Sequence, residues 1–491
     1  MPRRHLRLPP LAEPDRSRDV DAAVRRGLAA LRAELDVPAA FPAAVTAEAR
    51  ARAAAGPAGD VERADLRDLP LLTIDPPGSM DLDQALHLER RGSGYRVHYA
   101  IADVAAWVLP GGAIDTEARA RVTTLYAPDG RTPLHPPELS EGAASLLPGQ
   151  AAPAALWEID LDEAGTPQSV RVGRATVRST ARLTYDEAQR AIVDRTGPGA
   201  GDGALALLRE VGDLRVAAER ARGGITLPTP EQEVEPVPGG GWRLTSRRTL
   251  PVEEWNAQIS LLTGMCAADL MLDARVGVLR TLPEAQDGDV DRLRRTALAL
   301  GVDWPTGTPP GQVLATLDAA DPRHAAVLAE ATTLLRGAAY VAFDGARPEH
   351  PGHGAIAAPY AHVTAPLRRL VDRFTTQVCL AVSAGVEPDE PTRAALPELP
   401  ALMAAGDRRA SAYERGCLDL VEAALLAGRE GQELEGVVVD VRDDGSSGIL
   451  QLADPVVRAR VAGTDLVAGT RLRVRLVEAD VARRLVRFEE A

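Results

Sequence analysis

Leu71-Leu72-Thr73-Ile74-Asp75-Pro76-Pro77-Gly78-Ser79-Met80-Asp81-Leu82-Asp83-Gln84 is the stretch on which the reading of this chain turns. The apolar, β-prone run Leu71 to Ile74 ends at an acid, a Pro-Pro-Gly turn follows, and two more acids open an extended-looking segment. Side chains alternate along a strand, so Asp81 and Asp83 point the same way, and the turn can fold them back toward Asp75. Carboxylates gathered in one place repel each other and stay ionised only when a cation joins them. Hard oxygen ligands in small number suit Mg²⁺ or Mn²⁺, which keep positions open for phosphate oxygens and water. The stretch therefore predicts a metal-assisted phosphoryl site. An acidic surface turn is the alternative that these residues alone leave open.

Composition narrows the field. The chain has 491 residues, enough for two to four domains, and its 45% hydrophobic content supports a substantial core. No apolar run approaches the ~20 residues that a membrane helix needs, and the start Met1-Pro2-Arg3-Arg4-His5 leads into prolines and acids, unlike a secretory signal. Cys266, Cys379 and Cys417 are far apart and in no metal-ligand spacing, which fits buried thiols in a reduced cytoplasm. All 56 basic residues are arginine. Without lysine there is no P-loop, Schiff-base or Ser–Lys chemistry, and no nucleotide cofactor is expected. Arginine is well shaped for two-pronged phosphate contacts. The net charge of −14 argues against a binder that works by bulk electrostatics, but not against an enzyme with a local positive channel.

Periodicity predicts an α+β protein. Residues 18–36 and 42–55 read as helices and form a small N-terminal unit, either a helix-turn-helix module or a bracing arm, with a linker to residue 70. Residues 71–428 read as the catalytic domain: strands and turns to about Val172, then helices over 202–222, 252–274, 288–300, 323–340, 366–385 and 402–427. Pro388 to Pro400 reads as a connector. Residues 429–491 carry five short strands, the pattern of an OB-fold β-barrel, whose grip on single-stranded nucleic acid would rest on arginines because Phe488 is its one aromatic residue.

A second constellation runs from His350-Pro351-Gly352-His353 to His362-Val363-Thr364-Ala365-Pro366-Leu367-Arg368-Arg369-Leu370-Val371-Asp372. Thr364 is a plausible N-cap and Pro366 suits a first helical turn, which would set Arg368 near a helix N-terminus, ready for a phosphate. An intrahelical Arg368–Asp372 ion pair is the plainer reading. The histidine spacing fits no familiar zinc pattern.

Together these segments resemble the ribonuclease II / ribonuclease R (RNB) family of exoribonucleases over roughly residues 41–491. The likeness rests on Asp65-Leu66-Arg67-Asp68-Leu69-Pro70, Thr73-Ile74-Asp75, Asp81-Leu82-Asp83, Tyr99-Ala100-Ile101-Ala102-Asp103, Thr124-Leu125-Tyr126, Val252-Glu253-Glu254-Trp255-Asn256 and Thr364-Ala365-Pro366-Leu367-Arg368-Arg369, in that order. It implies a monomer that degrades RNA with a free 3′ end, processively, to 5′-nucleoside monophosphates. Asp75, Asp81 and Asp83 would hold Mg²⁺ or Mn²⁺. Arg368 would grip the scissile phosphate, and Tyr126, Tyr185, Glu254 and Arg369 would contact RNA, with Tyr185 and Glu254 sensing the ribose. Two departures stand out. Gln84 replaces the family's fourth aspartate, so as a neutral metal ligand it implies weaker metal affinity with hydrolysis retained, or a silent RNA-binding relative. The 70 residues before Leu71 read as helical where the family has cold-shock-type domains, which implies a more open RNA entrance.

Overall fold

The computed structural model describes residues 14–58, 61–199, 203–237, 241–442 and 444–491. A seven-stranded sheet positions the site. Its strands are β1 (Ala64–Leu66), β2 (Leu72–Asp75), β3 (Gln84–Arg91), β4 (Gly94–Ala102), β5 (Ala151–Leu161), β6 (Pro167–Arg178) and β7 (Ala181–Thr184), in the order β1-β6-β5-β4-β3-β2-β7. The long strands β3 to β6 pair antiparallel, while β1 lies parallel to β6 and β2 parallel to β7. β1 falls within the stretch expected to be a linker, so the sheet begins earlier in the chain than its first apolar run. Aromatic and branched side chains from β3 to β5, among them Tyr99 and Trp157, are fully buried. Helices such as Ala204–Arg222, Pro251–Ala274 and Leu370–Ser383 contribute to the same core.

Several predicted helices differ from their expected spans. The 323–340 segment is helical over Pro322–Ala331, then turns through Thr332–Leu335 and becomes the strand Ala339–Asp344, paired with Val276–Thr281. The chain is already extended at Arg336, Gly337 at φ +90 makes the turn that follows, and the β-prone Tyr340, Val341 and Phe343 take the sheet. The connector before residue 400 contains the short helix Glu390–Ala395, and the next helix starts at Leu399 with Pro400 in its first turn.

The N-terminal helices α1 (Pro14–Glu34) and α2 (Ala43–Ala55) bury their apolar residues in different cores. Val24, Leu28 and Leu31 of α1 join the helix Leu399–Leu426 and the C-terminal barrel, whereas Val45 and Ala49 of α2 pack near Leu71 and Leu82. The two helices thus pack on different parts of the protein, α1 against the helix Leu399–Leu426. Gly416 permits the approach, since a Cβ there would lie 2.9 Å from Leu31. The expected barrel is present and closed, in the order Glu433–Val441, Ser447–Leu452, Arg458–Ala462, Leu485–Glu490, Arg471–Asp480. Among the described residues no helix is long and apolar enough to cross a membrane.

Glu422 sits where the helix Leu399–Leu426, the strand Glu231–Pro236 and the barrel meet. It is 4% exposed and accepts hydrogen bonds from Gln232 Nε2 at 2.9 Å and Arg458 N at 3.0 Å. Burial pushes its carboxyl up to about 7 from an ordinary 4.5, against the pull of those two donors. A raised folded value means stability that is full below pH 4.5 and is lost as pH rises toward 7. Glu422→Gln keeps the accepting oxygen and removes the charge. Its melting temperature should exceed that of the wild type at pH 8, by the equivalent of about 1–3 kcal/mol, and the difference should vanish near pH 4.5. A constant difference across that range would assign the effect to packing.

Candidate active site

The acid-rich turn is built as its sequence suggests. β2 delivers Asp75 at its last residue, and Gly78, at φ +81, lets the turn reverse. Leu82 is fully buried and anchors the return: its N–H donates to Ser145 Oγ at 2.9 Å, and Ser145 Oγ donates to the Met80 carbonyl at 2.7 Å. Asp81 and Asp83 flank that anchor and are 8% and 1% exposed.

The second constellation docks on this turn. Asp83 Oδ1 accepts from Leu367 N at 2.7 Å, and its Oδ2 accepts from Arg368 Nε at 2.6 Å. The helix therefore begins later than its sequence suggests, at Leu370 with Arg369 as the preceding cap position. Residues 366–368 form a turn instead, with Arg368 N donating to the Ala365 carbonyl at 3.1 Å. Thr364 is not the N-cap. Asp372 pairs with Arg369, not Arg368: it accepts from Arg369 Nε at 3.0 Å and Nη2 at 2.7 Å, and from Ala365 N at 2.7 Å. Arg369 is thus held by the loop's own carboxylate.

Electrostatics mark the same place. Burial pushes Asp75 up to about 7; Arg368 opposes the shift, while Asp83 and Asp81 add to it. Burial likewise pushes Asp83 up to about 6 against the pull of Arg368. The three acids and Arg368 lie within reach of one another's fields. Among the described residues, however, no three His, Cys, Asp or Glu side chains converge closely enough to hold a metal ion. Arginines occupy the acids instead: Arg368 on Asp83, and Arg131 on Asp81 with its other arm 2.9 Å from Glu141. The donor set still suits a hard divalent ion, because the burial that raises Asp75 and Asp83 is what such an ion relieves.

Tyr126 lies on the strand Leu125–Ala127, 53% exposed, with its hydroxyl in the field of Arg368, Asp81 and Asp83. Tyr185 opens the helix Tyr185–Asp194, which is fixed by a Thr184–Glu187 capping box. Burial, Asp75 and Glu253 push the Tyr185 hydroxyl up to about 12. Glu254 faces elsewhere, into a cavity of about 160 Å³ lined also by Glu219, Arg220 and Thr226. Sequence reading paired Tyr185 with Glu254; the glutamate whose charge acts on the Tyr185 hydroxyl is Glu253, which accepts from Leu250 N at 2.8 Å and Arg247 Nη1 at 2.6 Å. Adjacent residues on a helix face different ways, so the helical phase relative to Tyr185 would have been the signal. Arg131 gave no sequence signal at all. Gln84 does not offer itself as a ligand, because its amide nitrogen donates to the Thr364 carbonyl at 2.6 Å and its oxygen accepts from Tyr99 at 2.8 Å.

The RNB domain model matches residues 63–382, and the chain belongs to the RNB-domain family. Residues 432–491 match the model of the RNase II-type exonuclease C-terminal S1 domain. Ribonuclease R of Aquifex aeolicus is 30% identical over 429 residues, which is 83% of this chain and 59% of that protein. The chain's matches span less than two thirds of the length of such curated relatives. Apo RNase R of Mycoplasma genitalium shares the fold at a TM-score of 0.83 and 19% identity, over 96% of this chain and 78% of that one. Yeast Ssd1, described as a pseudonuclease, shares it at 0.67 and 18%, over 86% and 54%.

Asp372 is fully buried and carries both the loop and Arg369. Asp372→Asn leaves a half-buried guanidinium without its counter-charge, and the cost should be about 1–3 kcal/mol. It is expected as a clear fall in melting temperature. An unchanged value would mean that Arg369 finds another partner.

Proposed function

We propose that this protein is a 3′-to-5′ exoribonuclease that hydrolyses single-stranded RNA processively to 5′-nucleoside monophosphates. The observation that carries the reading is the junction of Asp83 with Leu367 N and Arg368 Nε, which unites two motifs 285 positions apart into one site. RNB-family membership and the S1-type C-terminal domain support RNA as the substrate. The fold by itself does not decide for catalysis, since a pseudonuclease shares it.

Asp75, Asp81 and Asp83 would hold Mg²⁺, with Mn²⁺ as a substitute. When bound, such an ion lowers the pKa of a water and neutralises phosphate oxygens. Arg368 has the charge and the position to hold the scissile phosphate and to stabilise charge that develops on its oxygens. Burial works against that charge, but Asp83, Tyr126 and Asp81 keep the guanidinium protonated. The exposed ring of Tyr126 offers a stacking surface for a terminal base. The Tyr185 hydroxyl, neutral at physiological pH, can donate to a ribose 2′-oxygen and so favour RNA over DNA. For Asp81 to serve as a ligand, Arg131 would have to release it and keep its hold on Glu141. Cytoplasmic RNA and a monomeric enzyme complete the proposal.

The test is a 5′-labelled RNA and its DNA twin, incubated with the protein and Mg²⁺ beside Asp83→Asn and Arg368→Ala. Expected is a ladder that shortens from the 3′ end on RNA alone, with turnover lowered by about 10²–10³ or more in each variant. RNA bound but left intact by the wild type would make this a binding protein.

A further inference from the structure

Gln84 stands where the metal-ligand reading puts a weakened ligand, and its surroundings give it different work. Its Nε2 donates to the carbonyl of Thr364, a residue 4% exposed, at 2.6 Å. Its Oε1 accepts from the hydroxyl of Tyr99, fully buried on β4, at 2.8 Å. That hydroxyl also lies 2.7 Å from Ser260 Oγ on the helix Pro251–Ala274. One line of hydrogen bonds thus runs from helix to sheet to the loop that carries Arg368. Asp83, next in sequence, holds the far end of the same loop through Leu367 N and Arg368 Nε.

We propose that Gln84 is a positioning residue: its amide fixes the Arg368 loop against the sheet, and replacing it with an acid weakens the site instead of completing it. The Thr364 carbonyl is an acceptor, so only a donor can satisfy it. Aspartate brings an anion to that oxygen and is one methylene shorter. Glutamate has the reach but lacks the donor. A loop displaced by about 1 Å costs up to about 10²-fold in rate when it carries a group that must meet a phosphate.

This inference rests on the exoribonuclease reading for its kinetic arm, and a second arm is independent of it. Gln84→Asp, Gln84→Glu and Tyr99→Phe are compared with the wild type in three measurements: kcat and KM on RNA, calorimetric Mn²⁺ binding, and hydrogen exchange of the 364–368 amides. The expected result is a kcat lowered about 10- to 100-fold in both acidic variants, with KM little changed. Mn²⁺ binding should be no tighter, and the loop amides should exchange faster. Tyr99→Phe should show the same pattern more weakly. Tighter Mn²⁺ binding with a raised kcat in Gln84→Asp would overturn the proposal and restore Gln84 as a lost ligand. Unchanged loop exchange in Gln84→Glu would overturn it as well. If the acidic variants fail to fold, Tyr99→Phe decides: faster loop exchange at an unchanged melting temperature supports the line of bonds, and unchanged exchange refutes it. A wild type without nuclease activity sinks the exoribonuclease reading, while the exchange arm still judges the positioning claim.

Discussion

A single buried carboxylate, that of Asp83, joins the two halves of the site. One of its oxygens takes a backbone N–H of the 364–369 loop and the other takes the Arg368 guanidinium. Charge-assisted bonds of this kind are about twice as strong as neutral ones. Their worth is specificity more than stability, because burying the Asp83 charge costs much of what the attraction returns. The rest follows from that constraint. The helix Leu370–Ser383 starts late because residues 364–368 must reach down to Asp83, Asp372 secures the start of the loop, and Gln84 holds its Thr364 carbonyl.

Arginine does all the cationic work in a chain without lysine. Its planar fork suits this architecture, since one guanidinium can serve two acceptors in fixed geometry. Arg369 spans both oxygens of Asp372, and Arg131 bridges Asp81 and Glu141. The short hairpin that carries Tyr126 and Arg131 is tied in turn to α1, because Asp129 at its tip pairs with Arg32. The N-terminal helix therefore reaches the site's rim through one ion pair.

Local pattern made much of this visible in the sequence. The five strands of the barrel and the helix Pro251–Ala274 announce themselves by periodicity, and the Asp75 strand by its apolar run before a Pro-Pro-Gly turn. What local pattern misses is tertiary. The stretch Thr364 to Arg369 has sound helix-start residues, yet it is pulled into a turn by a carboxylate 285 positions away. Tyr340 to Phe343 continue an alanine-rich helix in sequence and leave it in space, because a strand at Val276–Thr281 needs a partner. Glu253 and Glu254 differ by one helical step, and only their helical phase separates the one whose charge reaches Tyr185 from the one that lines the cavity. Arg131 becomes meaningful once Asp81 is seen beneath it.

Because arginines already neutralise Asp81 and Asp83, the scaffold does not depend on its chemistry for its cohesion. The same architecture can therefore outlast its turnover, and the presence of the fold alone is no mark of catalysis.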